Sequence, residues 1–132
     1  MIERKFTQEV IIVGDDFTPN AQGDSEIDSL LGYSTCLLED QAIRSEKYGC
    51  VLAPNYSDDI EVTLAELEKL GIDPLISTIR PSQKKKLKSN NPNTSLFFTA
   101  SFIFNDECCL TVPFESEAQA LSCVLWYALA YH

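Results

Sequence analysis

Few residues of this 132-residue chain are arranged in a way that could support catalysis. The only histidine, His132, is the last residue, and a fraying terminus is a poor place for a general base or a metal ligand. The five glycines are isolated from one another, so the sequence contains no glycine-rich phosphate loop. These observations favour a binding protein over an enzyme.

Two pairs of adjacent aspartates are the remaining candidates for chemistry. Asp15 and Asp16 follow a predicted strand and Gly14, and carboxylates at a strand end can hold Mg²⁺. Asp58 and Asp59 lie at the N-terminus of a predicted helix, where the helix dipole favours acids without any metal. We rank capping and solvation above metal binding for both pairs, so the sequence predicts neither a metal nor a cofactor.

The cysteines do not form a recognisable site. Cys36, Cys50, Cys108, Cys109 and Cys123 are odd in number, and no two have the Cys-x-x-Cys spacing of zinc or redox sites. No basic segment followed by an apolar stretch opens the chain, so we expect reduced thiols and a cytoplasmic location.

The net charge of −10 is unevenly distributed. Residues 1–79 hold 16 acids and 5 bases, whereas residues 80–132 hold 4 acids and 5 bases. Such a surface repels nucleic acid and anionic membranes and attracts proteins with basic surfaces. The predicted partner contacts are therefore carboxylates of the acidic half: Asp15, Asp16, Asp24, Glu26, Asp28, Glu61, Glu66 and Glu68.

Two further groups of residues are candidates for binding. Four lysines near the middle of the chain predict an exposed loop that could contact a small anionic ligand or an acidic partner: Lys84, Lys85, Lys86 and Lys88. Large aromatic residues lie outside the apolar face of the last predicted helix, and they predict self-association unless the chain itself covers them: Trp126, Tyr127 and Tyr131.

Hydrophobic periodicity and capping signals predict three helices. The clearest covers residues 59–70, with Asp58 and Glu61 at capping-box spacing and Gly71 as a stop. Another covers residues 117–131 and begins after Ser116. A third begins near residue 26, after a cap at Ser25, and either ends at Gly32 or continues to residue 38.

Runs rich in β-branched and aromatic residues predict the strands. They are residues 6–13, 48–52, 72–79, 96–104 and 108–114. The last two are separated by Asn105, Asp106 and Glu107 and predict a hairpin. Residues 15–28 contain five acids and no base, and they predict a solvated loop leading into a helix.

Three stretches resemble the phage ABA sandwich domain family of small bacteriophage proteins. They are Glu-Ile-Asp-Ser-Leu-Leu-Gly-Tyr at residues 26–33, Pro-Asn-Tyr-Ser-Asp-Asp-Ile at 54–60 with Leu-Glu-Lys-Leu at 67–70, and the segments 99–104, 110–112 and 117–129. The resemblance implies an antiparallel sheet packed by helices and a phage or prophage origin. It implies no catalytic residues.

The sequence thus predicts one α+β domain over residues 1–132, in which an antiparallel sheet of three to five strands is packed by two or three helices. Residues 1–25 form an N-terminal strand and acidic loop extension. The predicted function is that of a non-enzymatic acidic interaction protein of the anti-defence type, phage- or prophage-encoded, which binds and inhibits or modulates a host protein with a basic surface. The alternative is a protein that binds or sequesters a small ligand such as a nucleotide.

Overall fold

The computed structural model describes residues 9–80 and 96–131 as an α+β fold with three helices and two sheets. In chain order the elements are β1 (Ile11–Val13), α1 (Ala21–Leu30), β2 (Thr35–Leu38), β3 (Gln41–Glu46), β4 (Gly49–Leu52), α2 (Ile60–Leu70), β5 (Leu75–Ile79), β6 (Phe97–Phe104), β7 (Glu107–Thr111) and α3 (Glu117–Ala130). The predicted fold class is confirmed.

The larger sheet has the strand order β1-β7-β6-β5. The β6–β7 hairpin confirms the sequence prediction, and its two turn residues, Asn105 and Asp106, have φ values of 53° and 63°. Positive φ at both central positions is the geometry that matches the twist of the flanking strands. The parallel pairing of β1 with β7 was not predicted. The other neighbouring strands of this sheet are antiparallel, as expected.

Helix α3 packs against this sheet and is the centre of the core. Ser116 caps it as predicted, since its hydroxyl accepts the backbone N–H of Gln119 at 3.1 Å. Nine of its 14 residues are buried, because β6 lies on one side and α1 and α2 lie on the others. The chain itself therefore covers this all-round apolar helix.

Gly14 is required where β1 meets α3. Its φ of 97° is in the left-handed region, and a Cβ atom there would collide with the sulfur of Cys123. The close approach lets the chain turn so that Phe17 enters the core, where its ring lies 5.3 Å from that of Trp126. Residues 9–20 are thus built into the fold by β1 and Phe17.

Helix α1 begins earlier than the sequence predicts and ends near Gly32, the shorter of the two predicted alternatives. Asn20 is the cap, and its side chain accepts the N–H of Gln22, so the predicted cap at Ser25 is wrong. The helix ends at Leu30 before Gly32, whose φ is 107°. Continuation of the helix to residue 38 is also wrong, since residues 35–38 form β2.

Helix α2 agrees with the prediction at both ends to within one residue. Asp59 rather than Asp58 caps it, and Gly71 ends it in the left-handed conformation with φ of 74°. The side of α2 that carries its apolar residues is only partly buried, because Thr63 and Leu67 are buried whereas Leu64 remains 41% exposed.

The smaller sheet is an antiparallel meander of order β2-β3-β4, of which the sequence predicts only the last strand. Glu39 and Asp40 form its first turn with positive φ at both positions. Helix α1 packs against β2 and β3. Within the described ranges, no helix has the length and apolar character needed to cross a membrane.

Candidate interaction surfaces

The carboxylate of Asp28 joins α1 to the smaller sheet and to the segment before α2. Arg44 of β3 forms a two-pronged ion pair with it, in which Nε donates to Oδ2 at 3.0 Å and Nη2 donates to Oδ1. The hydroxyls of Thr35 and Tyr56 donate to Oδ2 and Oδ1, the latter at 2.8 Å. Asp28 and Tyr56 are almost completely buried, so this is a satisfied buried polar network.

The network stabilises the ionised form of Asp28 and the neutral form of Tyr56. Burial alone would raise the pKa of Asp28, but the hydrogen bonds from Arg44, Thr35 and Tyr56 hold it below the ordinary carboxyl value. Burial and the hydrogen bond to Asp28 raise the pKa of the Tyr56 hydroxyl. The Arg44 guanidinium also lies 3.6 Å from the centre of the half-exposed Tyr33 ring, a cation–π contact.

Asp24 lies one helical turn before Asp28 and has no cationic partner in any hydrogen bond described here. Its carboxylate accepts the backbone N–H of Ser57 at 2.9 Å. Burial raises the pKa of Asp24 and outweighs this hydrogen bond. The surroundings of these two carboxylates on one helix therefore shift their pKa values in opposite directions, upward for Asp24 and downward for Asp28.

These positions correct part of the predicted partner surface. Asp24 is 5% exposed and Asp28 is fully buried, so neither carboxylate is available to an approaching protein. The helical period explains the error, since Asp24, Ile27 and Asp28 all lie on the face of α1 that packs inward. Glu26, on the opposite face, is exposed as predicted.

The other predicted contacts occupy the β1–α1 loop and α2. Asp15, Asp16, Glu61 and Glu68 are exposed. Glu66 is partly buried and forms an ion pair with Lys69 at 3.3 Å, so a neighbouring residue of α2 partly neutralises its charge. The lysine loop of Lys84, Lys85, Lys86 and Lys88 lies outside the described residues.

The predicted self-association surface on α3 is only partly exposed. Trp126 is buried against Phe17, which corrects its assignment to an exposed patch. Tyr127 is half-buried and packs edge-on against Phe102 and Phe104. Tyr131 alone among the three predicted residues is well exposed, at 54%.

The two aspartate pairs differ in what they do. Asp59 caps α2, as the helix-dipole argument predicts, whereas Asp15 and Asp16 are exposed on the turn after β1. In the two ranges that the structure describes, no group of three or more histidine, cysteine or acidic residues is placed to hold a metal ion.

The two faces of the smaller sheet differ sharply. Thr35, Ala42 and Arg44 are on the face that meets α1, since Thr35 and Arg44 bind Asp28. Strand alternation places an uncharged set on the opposite face. Its members are Cys36, Leu38, Gln41, Ile43, Ser45, Cys50 and Leu52, and all except the partly buried Ile43 are exposed.

A shallow groove of about 520 Å³ runs beside this sheet. The residues that line it include Tyr33, Glu46, Lys47, Tyr48 and Val51. Tyr48 is 91% exposed, and the Lys47 ammonium lies 5.4 Å from its ring centre. The smaller sheet thus exposes apolar and aromatic groups at two places, a pattern typical of interaction surfaces.

The sequence analysis missed two strands of the smaller sheet, β2 and β3, and the network on Asp28. The alternation of residues 41–46, with Ala42 and Arg44 on one face, was a usable signal for β3. The pairing of Asp28 with Arg44, 16 residues away, left no signal in a single sequence. Comparisons with protein-family models, curated proteins and solved structures gave no match, so the resemblance to the phage ABA sandwich domain family stays a prediction.

Proposed function

We propose that this chain is a non-enzymatic interaction protein that binds and inhibits or modulates a protein with a basic surface. The observation that carries the proposal is the exposure of carboxylates on the β1–α1 loop and two helices of a chain with net charge −10. The proposed contacts are Asp15, Asp16, Glu26, Glu61 and Glu68.

These carboxylates are free to act outward. Asp24 and Asp28 are buried within the fold, and Lys69 partly neutralises Glu66. Glu61 and Glu68 are exposed on α2 and take no part in the ion pairs described. Carboxylates arranged in this way raise the association rate with a cationic surface and oppose the approach of nucleic acid. A nucleic-acid-binding protein has such a cationic surface.

The resemblance to the phage ABA sandwich domain family supports a phage or prophage origin, with a host protein as the partner. In that setting an acidic protein that occupies a nucleic-acid site would act in anti-defence. The cell interior of the host is then the compartment in which it works.

The test is a pull-down from bacterial lysate with the tagged chain, repeated with excess competitor DNA and followed by affinity measurement on the retained protein. Glu61→Lys combined with Glu68→Lys should weaken binding at least tenfold, because it replaces two attractive charges by two repulsive ones. Asp73→Lys combined with Glu107→Lys changes the net charge equally at exposed positions outside the proposed surface, and it should have a much smaller effect.

Equal loss with both double variants would mean that net charge rather than this surface determines binding. Retention that DNA does not displace would exclude competition for a nucleic-acid site. Circular dichroism of each variant checks that the fold is kept, as we expect for exposed positions.

A further inference from the structure

Among the residues that the structure describes, none pairs with the outer edge of β4, and the register shows which backbone groups point to that edge. Ala53 donates its N–H to the carbonyl of Ala42, and Arg44 lies opposite Val51. Because hydrogen-bonded and non-bonded pairs alternate in antiparallel strands, Val51 exchanges its backbone hydrogen bonds with β3. The N–H and C=O groups of Cys50 and Leu52 therefore point away from the sheet.

The opposite edge of the same sheet is better protected. On β2 the carbonyl of Thr35 accepts a hydrogen bond from the hydroxyl of Ser29, and α1 packs alongside that strand. Strand β4 packs substantially only against β3 among the described elements. Its sequence Gly-Cys-Val-Leu has no charge or proline, the usual devices that keep an edge from pairing.

We propose that a second copy of this chain pairs with β4 in antiparallel orientation, about a two-fold axis at Val51. Cys50 of each copy then faces the second copy's Leu52, and the two pairs exchange four backbone hydrogen bonds. The result is a six-stranded sheet. The apolar row formed by Cys36, Ile43 and Leu52 continues onto the second copy's Cys50.

Charge distribution favours a second copy at this edge. Two chains of net charge −10 repel each other in most orientations, but β4 carries no carboxylate and brings none into opposition. The same register places Lys47 level with the second copy's Asn55, at the start of the segment that bears the exposed Asp58 and Asp59. A basic partner, by contrast, finds no carboxylate on β4 itself.

The paired surface is small, which sets the strength of the association. Two four-residue strands bury less than the roughly 800 Å² per partner that stable complexes use. We therefore expect a dissociation constant above about 1 μM, with dimer forming as the concentration rises towards about 1 mM.

Sedimentation equilibrium over this concentration range is the first measurement. Leu52→Lys places a charge at the paired edge and should weaken the dimer at least tenfold. Leu38→Lys is the matched control, because Leu38 lies on the same sheet face and is 59% exposed, against 63% for Leu52, but belongs to the other edge strand. It should change the dissociation constant less than about twofold.

Disulfide trapping tests the register itself. In a Cys36→Ser background, Leu52→Cys should give a covalent dimer on mild oxidation, because directly paired Cα atoms about 5.5 Å apart suit a disulfide. Leu38→Cys in the same background should not. A chain that stays monomeric at every concentration, an equal effect of the two lysine variants, or equal trapping of the two cysteine variants would each overturn the proposal.

This association is independent of the acidic surface. The Glu61→Lys, Glu68→Lys variant should keep the dimer dissociation constant of the wild-type chain or lower it slightly, because the variant is less negatively charged and its copies repel each other less. Failure of the dimer would leave the proposed function untouched, and failure of the acidic surface would leave the dimer untouched.

Discussion

The two sheets of this protein are held in place by different kinds of interaction. The larger sheet meets α3 through buried apolar side chains that belong to one cluster, among them Ala100, Phe102 and Leu125. The smaller sheet meets α1 through the polar network on Asp28, with Ala42 as its buried apolar residue. Its other face is uncharged and mostly exposed.

The difference implies two distinct sources of stability. Apolar burial is distributed over many contacts, so each side chain contributes a share to one cooperative core. The attachment of the smaller sheet, by contrast, depends largely on one group, the buried carboxylate of Asp28, which accepts four hydrogen bonds. Loss of that group should release the smaller sheet while the larger sheet stays folded.

Leu125→Ala should have the largest effect on the free energy of unfolding. Leu125 is fully buried on α3, and removing such a side chain leaves a cavity that the surrounding core only partly fills. We expect a loss of about 3 to 4 kcal/mol in urea denaturation, seen equally by probes in both sheets. Leu64→Ala on α2, where the side chain is 41% exposed, should cost less than about 1 kcal/mol.

Asp28→Asn should be the next largest and should act on the smaller sheet first. The amide keeps the shape but leaves the Arg44 guanidinium mostly buried without its counter-charge, a change that costs about 3 kcal/mol. Hydrogen exchange should show faster opening of β2, β3 and β4 than of β6 and β7. Uniform acceleration across both sheets would contradict the division of the molecule into two differently stabilised regions.

The matched control for this effect is Asp28→Leu combined with Arg44→Met. Replacing both members of a buried ion pair by apolar groups leaves no unpaired charge, so it should cost less than Asp28→Asn alone. A larger loss would mean that the hydroxyls of Thr35 and Tyr56 depend on the carboxylate more than Arg44 does.

The elements of the larger sheet could be predicted because their signals are local. Ser116 caps α3, Gly71 ends α2, and the alternation around Phe102 marks β6. The parallel pairing of β1 with β7 could not be predicted, since it joins residues almost 100 positions apart. No pattern within a short window specifies such a contact.

The candidate surfaces were predicted less well because exposure depends on tertiary packing. Glu61 and Glu68 follow from the period of α2 and are exposed as expected. Asp24 and Asp28 were assigned outward because acids are rarely buried. The structure buries both, and the partners that make this tolerable, Arg44 and Ser57, lie far along the chain.

The dependence of stability on pH should separate the two buried carboxylates of α1. Asp28 has a lowered pKa in the folded state, so its contribution is present above the ordinary carboxyl pKa of about 3.9 and is lost as the pH falls below it. Asp24 has a raised pKa, so the folded state favours its protonated form and loses that contribution as the pH rises above about 3.9.

Urea denaturation between pH 3 and pH 7 measures this contrast. Asp28→Asn should destabilise strongly at pH 7 and less at pH 3. Asp24→Asn should leave stability unchanged or raise it at pH 7, since the amide oxygen still accepts the Ser57 N–H without a buried charge. The same sign for both variants at pH 7 would refute the assignment of opposite environments.

Leu52→Ser should have the smallest effect on folding, although it removes a large apolar side chain. Leu52 is 63% exposed on the outer face of the smaller sheet and does not belong to the described core cluster. In dilute solution we expect the free energy of unfolding to change by no more than about 0.5 kcal/mol, as for other exposed positions. A loss comparable to that of Leu125→Ala would mean that this face is covered in the folded monomer, and the contrast between the two sheets would fail. A small effect in dilute solution that grows with protein concentration would instead locate the missing apolar contact between copies.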